Sequence, residues 1–383
     1  MMYDSIVIGC GFAGAVVARQ LAEQKGKKVL VVDSRNHIGG NCYDKVDEYG
    51  ILIHQYGPHI FHTNNKKVYE YLSRFTEWYE FQHEVVGKIH GRELPIPFNL
   101  NTLEMVYGDR APGLEKKLIG YFGEGARVPI LELMNHSDSE LQEIAQYVYE
   151  NVFLKYTMKQ WGKSPKEIDP AVSGRVPVLL SRDNRYFQDT YQGLPLNGYT
   201  AVFEKLLDYK GIEVRLNCQG RDVLKLDPEG ENKVFFEGRP YHGDVIFTGA
   251  LDEFFDCCYG RLPYRSLDFK FEHYDRPFYQ SHGVVNYTVS EDFTRITEFK
   301  YLTGQLETKD TTIVKEYPMS YSGEEDQIPY YAINNPENDA LYEKYRALVE
   351  KIPGFYLLGR LAEYKYYNID AIVDRALDLA ERI

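Results

Sequence analysis

The sequence predicts an α/β fold built on a parallel sheet, and three observations carry that prediction. Residues 6–14 read Ile-Val-Ile-Gly-Cys-Gly-Phe-Ala-Gly, an apolar strand that runs into Gly9-x-Gly11-x-x-Gly14. A second apolar strand, Val29–Asp33, ends on an acid nineteen positions after the last glycine. Helix–strand alternation then returns over 200–255, with the buried-looking strand Asp244-Val-Ile-Phe-Thr-Gly-Ala250. Strand, glycine turn, helix and spaced acid together form a Rossmann-like dinucleotide-binding fingerprint, and the late return of the pattern makes that domain discontinuous.

Each part of the fingerprint has a chemical reason. Gly9 permits the tight turn, Gly11 lets a pyrophosphate approach the backbone, and Gly14 lets a helix over Ala15–Gln24 pack on the strand with its N-terminus facing the phosphates. Asp33 is placed to accept hydrogen bonds from a ribose diol and to repel a 2′-phosphate. The segment Arg35-Asn36-His37-Ile38-Gly39-Gly40-Asn41 brings a second glycine pair at once, where a nicotinamide enzyme usually proceeds to another crossover. That suits a longer cofactor, so FAD is favoured, with Gly40 and Asn41 among its contacts. A short strand, Phe355-Tyr-Leu-Leu-Gly359-Arg360, adds Gly359 and Arg360, and Asp370 is expected as the N-cap of a helix over Ala371–Arg382.

The remaining segments follow in order. Pro95 and Pro97 hold Arg92–Asn99 extended, which marks a domain crossing. Helical periodicity follows over Leu114–Phe122, and Ser137-x-x-Glu140 reads as a capping box opening a helix with Leu141, Ile144, Ala145, Val148, Val152 and Tyr156 on one face. Residues 264–317 alternate aromatic and β-branched side chains, as in Arg295-Ile-Thr-Glu-Phe-Lys300, which predicts an antiparallel sheet. The expected domains are a FAD-binding one over 1–80, 200–262 and 341–383, a helical one over 103–199, and an antiparallel sheet domain over 81–102 and 263–340.

Composition limits the partners. The 383 residues carry a net charge of −13, which disfavours nucleic acid and anionic membranes and requires a local arginine cluster for any anionic ligand. The five cysteines are odd in number and lack metal-ligand spacing, so free thiols, no metal site and a reducing compartment are expected. No stretch of 18 apolar residues occurs, and membrane insertion is not expected; a cytoplasmic location fits. Tyrosine is the anomaly, with 33 Tyr against 2 Trp; amphipathic rings suit a site that stacks a base and bonds sugar and phosphate oxygens.

Five separated motifs carry a resemblance. They are Gln55-Tyr-Gly-Pro-His59-Ile-Phe-His62, Leu94-Pro-Ile-Pro-Phe-Asn-Leu-Asn-Thr102, Tyr156-Thr-Met-Lys-Gln-Trp161-Gly, Tyr186-Phe-Gln-Asp-Thr-Tyr-Gln-Gly-Leu-Pro195 and Gly359-Arg-Leu-Ala-Glu-Tyr-Lys-Tyr366. Over essentially the whole chain the sequence resembles the bacterial UDP-galactopyranose mutases. The resemblance implies an FAD enzyme, active when the flavin is reduced and usually a homodimer. It implies interconversion of UDP-galactopyranose and UDP-galactofuranose without net redox, through attack of the reduced-flavin N5 on the anomeric carbon, in the supply of galactofuranose for cell-surface polysaccharides.

The same resemblance assigns residues. Arg175, between Gly174 and Pro177, matches a mobile-loop arginine that closes on the diphosphate, and Arg295 matches the second arginine beside it. Tyr186, Tyr331 and Tyr366 match hydroxyl partners, Tyr156 the ring that stacks on uracil, Trp161 and Phe153 the substrate cleft, and His59 a histidine near the flavin. Asn368 stands where several members carry Asp, and Val152 where several carry an aromatic. Two other classes share the glycine fingerprint: a flavin oxidoreductase of the amine-oxidase type, which consumes substrate electrons, and a dinucleotide-binding sensor without turnover.

Overall fold

A computed structural model describes residues 3–162, 177–227 and 229–383. The chain divides into two compact units, one of Met1–Glu80, Asp189–Tyr264 and Pro329–Ile383, the other of Phe81–Gln188 and Arg265–Ile328.

The first unit is built on a parallel sheet in the order Ile212–Arg215, Val29–Val32, Ser5–Ile8, Asp244–Phe247 and Phe355–Leu357. Its inner strands are apolar runs buried along nearly their whole length, as a parallel sheet covered on both faces requires. The first helix, Phe12–Lys25, has no acid in its opening turn and ends at Gly26, whose N–H returns to Leu21 O. It packs on the last helix, Ile369–Arg382, whose buried positions Ile372, Val373, Ala376, Leu377 and Ala380 follow the helical period. That last helix corrects one expectation. Asn368 occupies the N-cap position and Asp370 lies inside the first turn, where its carboxylate accepts from Thr63 Oγ1 (2.9 Å) and Ala371 N (2.7 Å). The reason is local: Asn368 is already extended, so the helix begins two residues earlier than a cap at Asp370 would allow.

The second unit joins a sheet and a helical segment over one core. Neighbouring strands run Tyr264–Tyr274, Thr311–Ser320, Arg295–Glu298, Val284–Tyr287, Val85–Ile89 and Arg92–Ile96. All pairs are antiparallel except Val284–Tyr287 with Val85–Ile89. Val85, Leu94, Ile96 and Val284 from the sheet pack with Leu114, Leu118, Leu141, Ile144 and Val148 from the helices.

The long helix expected after residue 137 is three pieces. Asp138, not Ser137, caps the helix Ser139–Val148 by accepting from Glu140 N at 2.9 Å. A π-helical stretch, Tyr149–Leu154, follows, and then the helix Lys155–Trp161. The wider π turn shifts the helical phase, so Val152 and Phe153 stay in the core while Tyr156 is only half-buried. Phe153 packs inside the helical core, with its ring against Tyr149.

Candidate active site

In the first unit the carboxyl ends of the strands form a glycine-lined edge. Gly9 sits at φ +104°, and a Cβ there would meet Thr248 Oγ1 at 1.9 Å; Thr248 in turn donates to Ile8 O at 2.7 Å and closes the neighbouring strand end. A Cβ on Gly14 would lie 1.9 Å from Gly9 O and 2.9 Å from Val7 Cγ1, so this glycine is fixed by helix–strand packing. Gly11 is different. A Cβ there would meet only Gly40 Cα, at an ordinary 3.8 Å, so the protein itself does not demand glycine. The open space lies at a helix N-terminus, where backbone amides can receive an anion.

Asp33 and its neighbours complete the cradle. Asp33 is buried, its Oδ2 accepting from Cys10 N (2.7 Å) and its Oδ1 from Arg35 N (2.9 Å). It thereby ties the two glycine loops together, and each oxygen keeps a lone pair for a ribose hydroxyl. Asn41 Oδ1 accepts from Arg35 Nη2 at 2.8 Å, and the Arg35 guanidinium lies 4.5 Å from the Tyr56 ring centroid. Arg35 Nη1 is buried and makes no hydrogen bond among the described residues. A buried N–H of a cation is costly to leave unpaired, so this donor fits an acceptor on a bound dinucleotide. Sequence reasoning quoted Arg35 without assigning it; its position two residues past the acid was the available signal.

The same unit gathers a second group. Arg360 Nε donates to Tyr367 O at 2.6 Å, and its guanidinium stands 4.4 Å over the Tyr366 ring, which stacks on Tyr331 with centroids 6.2 Å apart. His59 bonds Gly57 O through Nδ1 at 2.9 Å, so the proton sits on Nδ1 and Nε2 is left as an acceptor. Its amide donates to His54 Nδ1 at 3.1 Å. Burial first, then the charges of His54 and Arg360, push His59 down to about 3, and it is neutral at ordinary pH. Asn368 is exposed and makes no side-chain cap bond.

The second unit brings Tyr156 to Arg295. Arg295 Nη2 donates to the Tyr156 hydroxyl at 2.9 Å, and Arg295 Nε lies 3.2 Å from Glu316 Oε2. Asn286, Arg295 and Glu316 are register partners across three strands, so their side chains share one sheet face. Glu316 is buried, and burial raises its pKa against the opposing pull of Arg295. Sequence reasoning missed it, because only the strand register pairs it with Arg295. Tyr186 lies in the same unit, its amide bonded to His83 O at 2.7 Å and its ring against Phe187. Arg175 and the Trp161 side chain lie outside the described residues.

A family model described as UDP-galactopyranose mutase matches residues 151–366, and one described as an NAD(P)-binding Rossmann-like domain matches residues 7–75. The UDP-galactopyranose mutase of Mycoplasma pneumoniae is 36% identical over 100% of this chain and 96% of its own length. A dTDP-fucopyranose mutase of Escherichia coli is 35% identical over 99% of this chain and 98% of its own. A crystal structure of reduced UDP-galactopyranose mutase superposes with a TM-score of 0.70 at 15% identity, covering 100% of this chain and 94% of that one, which is a likeness of fold. The full-length identity and the family match lead to one conclusion: the chain belongs to the UDP-galactopyranose mutase family and is an enzyme of that isomerase class.

Proposed function

We propose that the enzyme interconverts UDP-galactopyranose and UDP-galactofuranose, with FAD held in the first unit and active when reduced. The observation that carries the reading is the full-length likeness to mutases of nucleotide sugars, and the glycine edge supports it as a dinucleotide cradle. When bound, reduced flavin supplies a nucleophilic N5 for the anomeric carbon, so that the ring contracts with no net redox.

This chain's own residues do the rest. Gly11 and the N-terminus of Phe12–Lys25 receive the pyrophosphate, Asp33 the ribose, and Arg35 Nη1 a further acceptor. Gly40, Asn41, Gly359 and Arg360 line the same cofactor site. His59, neutral with Nε2 open, offers an acceptor without adding charge. On the substrate side, Arg295 donates to the Tyr156 hydroxyl, which leaves the tyrosine proton free for a phosphate oxygen while its ring is available to uracil. Trp161, Tyr186, Tyr331, Tyr366 and Asn368 contact the sugar and phosphates. Arg175 and Arg295 are the cations that offset the negative diphosphate on an acidic protein. We further assign a homodimer in the cytoplasm; among the described residues no helix is long and apolar enough to cross a membrane.

The near-equal identity to a dTDP-fucopyranose mutase favours a second reading, a dTDP-sugar substrate on the same site. One experiment separates the readings. Reduced enzyme is incubated with UDP-galactopyranose and, in parallel, with dTDP-fucopyranose, and the products are resolved by chromatography. Furanose from the first without stoichiometric flavin oxidation is the expected result. Furanose from the second alone would move the substrate assignment, and stoichiometric reduction of oxidised flavin by either sugar, in a parallel anaerobic incubation of the oxidised enzyme, would return the oxidoreductase class.

A further inference from the structure

Two cations of the second unit, Lys159 and the buried Arg265, pair with no carboxylate among the described residues. Both bond to backbone, and both act on the helix Lys155–Trp161. Lys159 Nζ donates to Tyr287 O (2.5 Å), Glu291 O (2.9 Å) and Phe293 O (3.1 Å), which uses all three of its donors on one loop. Arg265 donates from Nε to Gln160 O (2.8 Å), from Nη2 to Lys159 O (3.3 Å) and from Nη1 to Ser320 Oγ (3.0 Å). Those carbonyls belong to the last turn, where a helix leaves acceptors unmatched and carries partial negative charge. Gly162 ends the turn at φ +63°, and a Cβ there would stand 3.1 Å from Arg265 Nη1.

The spacing ties this clamp to the site. Tyr156 and Lys159 are three apart on the helix and share a face, while Phe293 and Arg295 are two apart on the chain they meet. Among the described residues the helix is therefore joined twice to the segment 293–295, by Tyr156 Oη to Arg295 Nη2 at 2.9 Å and by Lys159 Nζ to Phe293 O at 3.1 Å. One hydrogen bond leaves the helix free to roll about that contact. Two, with Arg265 holding the far end, do not.

We propose that Lys159, backed by Arg265, is a positioning residue for the mutase reaction: it fixes the helix so that the Tyr156 hydroxyl meets Arg295 before substrate binds. The inference rests on the nucleotide-sugar reading above. Its role is pre-organisation of the diphosphate side, and Lys159 itself touches no substrate.

The test is a cycle of Lys159→Met and Tyr156→Phe, singly and together, read as UDP affinity by titration calorimetry, KM and kcat, and flavin content. Lys159→Met is expected to raise the UDP Kd and the KM about tenfold, with kcat within about threefold, since charged hydrogen bonds that order a site are lost while the chemistry is untouched. Flavin content stays unchanged, and Lys159→Arg recovers most of the affinity. In the Tyr156→Phe background the same change is clearly smaller, about threefold, because the hydroxyl that Lys159 aligns with Arg295 is gone while the ring remains. Unchanged UDP affinity in Lys159→Met overturns the proposal, and so does an equal loss in both backgrounds, which marks a role in folding alone. If Lys159→Met does not accumulate as folded protein, Arg265→Lys carries the same test: it keeps the charge, loses the fork and should weaken UDP in the same direction; no change there also overturns the proposal. Wild-type enzyme that fails to bind UDP would instead remove the reading beneath it.

Discussion

Replacing Arg295 with alanine should produce a stability defect that depends on pH, alongside an activity defect. Glu316 is buried at 3% exposure and has its Oε2 3.2 Å from Arg295 Nε. Its other oxygen, Oε1, makes no hydrogen bond among the described residues. At that separation an effective dielectric of about 20 gives roughly 5 kcal/mol of attraction, which the part-exposure of the guanidinium reduces to about 3. Without Arg295 only burial acts on the carboxyl, so its pKa is raised further. A folded-state pKa above the unfolded value means the native protein binds the extra proton, so stability falls as pH rises between the two values. Arg295→Ala should thus be close to wild type in stability near pH 5 and less stable by about 3 kcal/mol near pH 9. Urea unfolding of the holoprotein at several pH values measures this. Adding Glu316→Gln should abolish the pH dependence and leave activity lost, while kcat/KM in the single variant drops roughly a hundredfold or more through loss of a charge partner for the diphosphate. A destabilisation equal at both pH extremes, or one that survives Glu316→Gln, would refute the charge argument.

Gly11→Ala should fold with near-native stability yet retain little FAD, whereas Gly14→Ala should destabilise the protein itself, because only the second Cβ clashes with protein atoms, at 1.9 Å against an ordinary 3.8 Å for the first; absorbance at the flavin band and thermal unfolding separate them, and equal stability losses would count against a ligand at Gly11. Asp33→Ala should release FAD on gel filtration, and Tyr156→Phe should weaken UDP while keeping flavin content; joint loss of both ligands in Tyr156→Phe would point to misfolding. Because His59 is held down to about 3 and stays neutral, the kcat/KM profile between pH 5.5 and 9, values at which the ordinary histidine near 6.5 would titrate, should show no inflection that disappears in His59→Gln.

How far the sequence reached depended on how local the cause was. The glycines, Asp33 and the parallel strands were legible because a tight turn, a close phosphate and a doubly covered sheet each restrict residue type at fixed spacing. Cap assignments slipped by one or two residues at Asp138 and Asn368. There several polar residues competed, and backbone conformation chose among them. The π turn at Tyr149–Leu154 was invisible to a search for a constant period, and it changed which side chains face the core, burying Phe153 and leaving Tyr156 half-buried. Glu316 and Arg265 were illegible for a different reason. Each is an ordinary strand residue until register places it: Glu316 opposite Arg295, and Arg265 opposite Ser320 beneath a helix end. The residues that hold a reactive group in place are thus set by long-range pairing, while those that touch a phosphate are set by the chain's own geometry. That is why motif reading reached Tyr156 and Arg295 but not what aligns them.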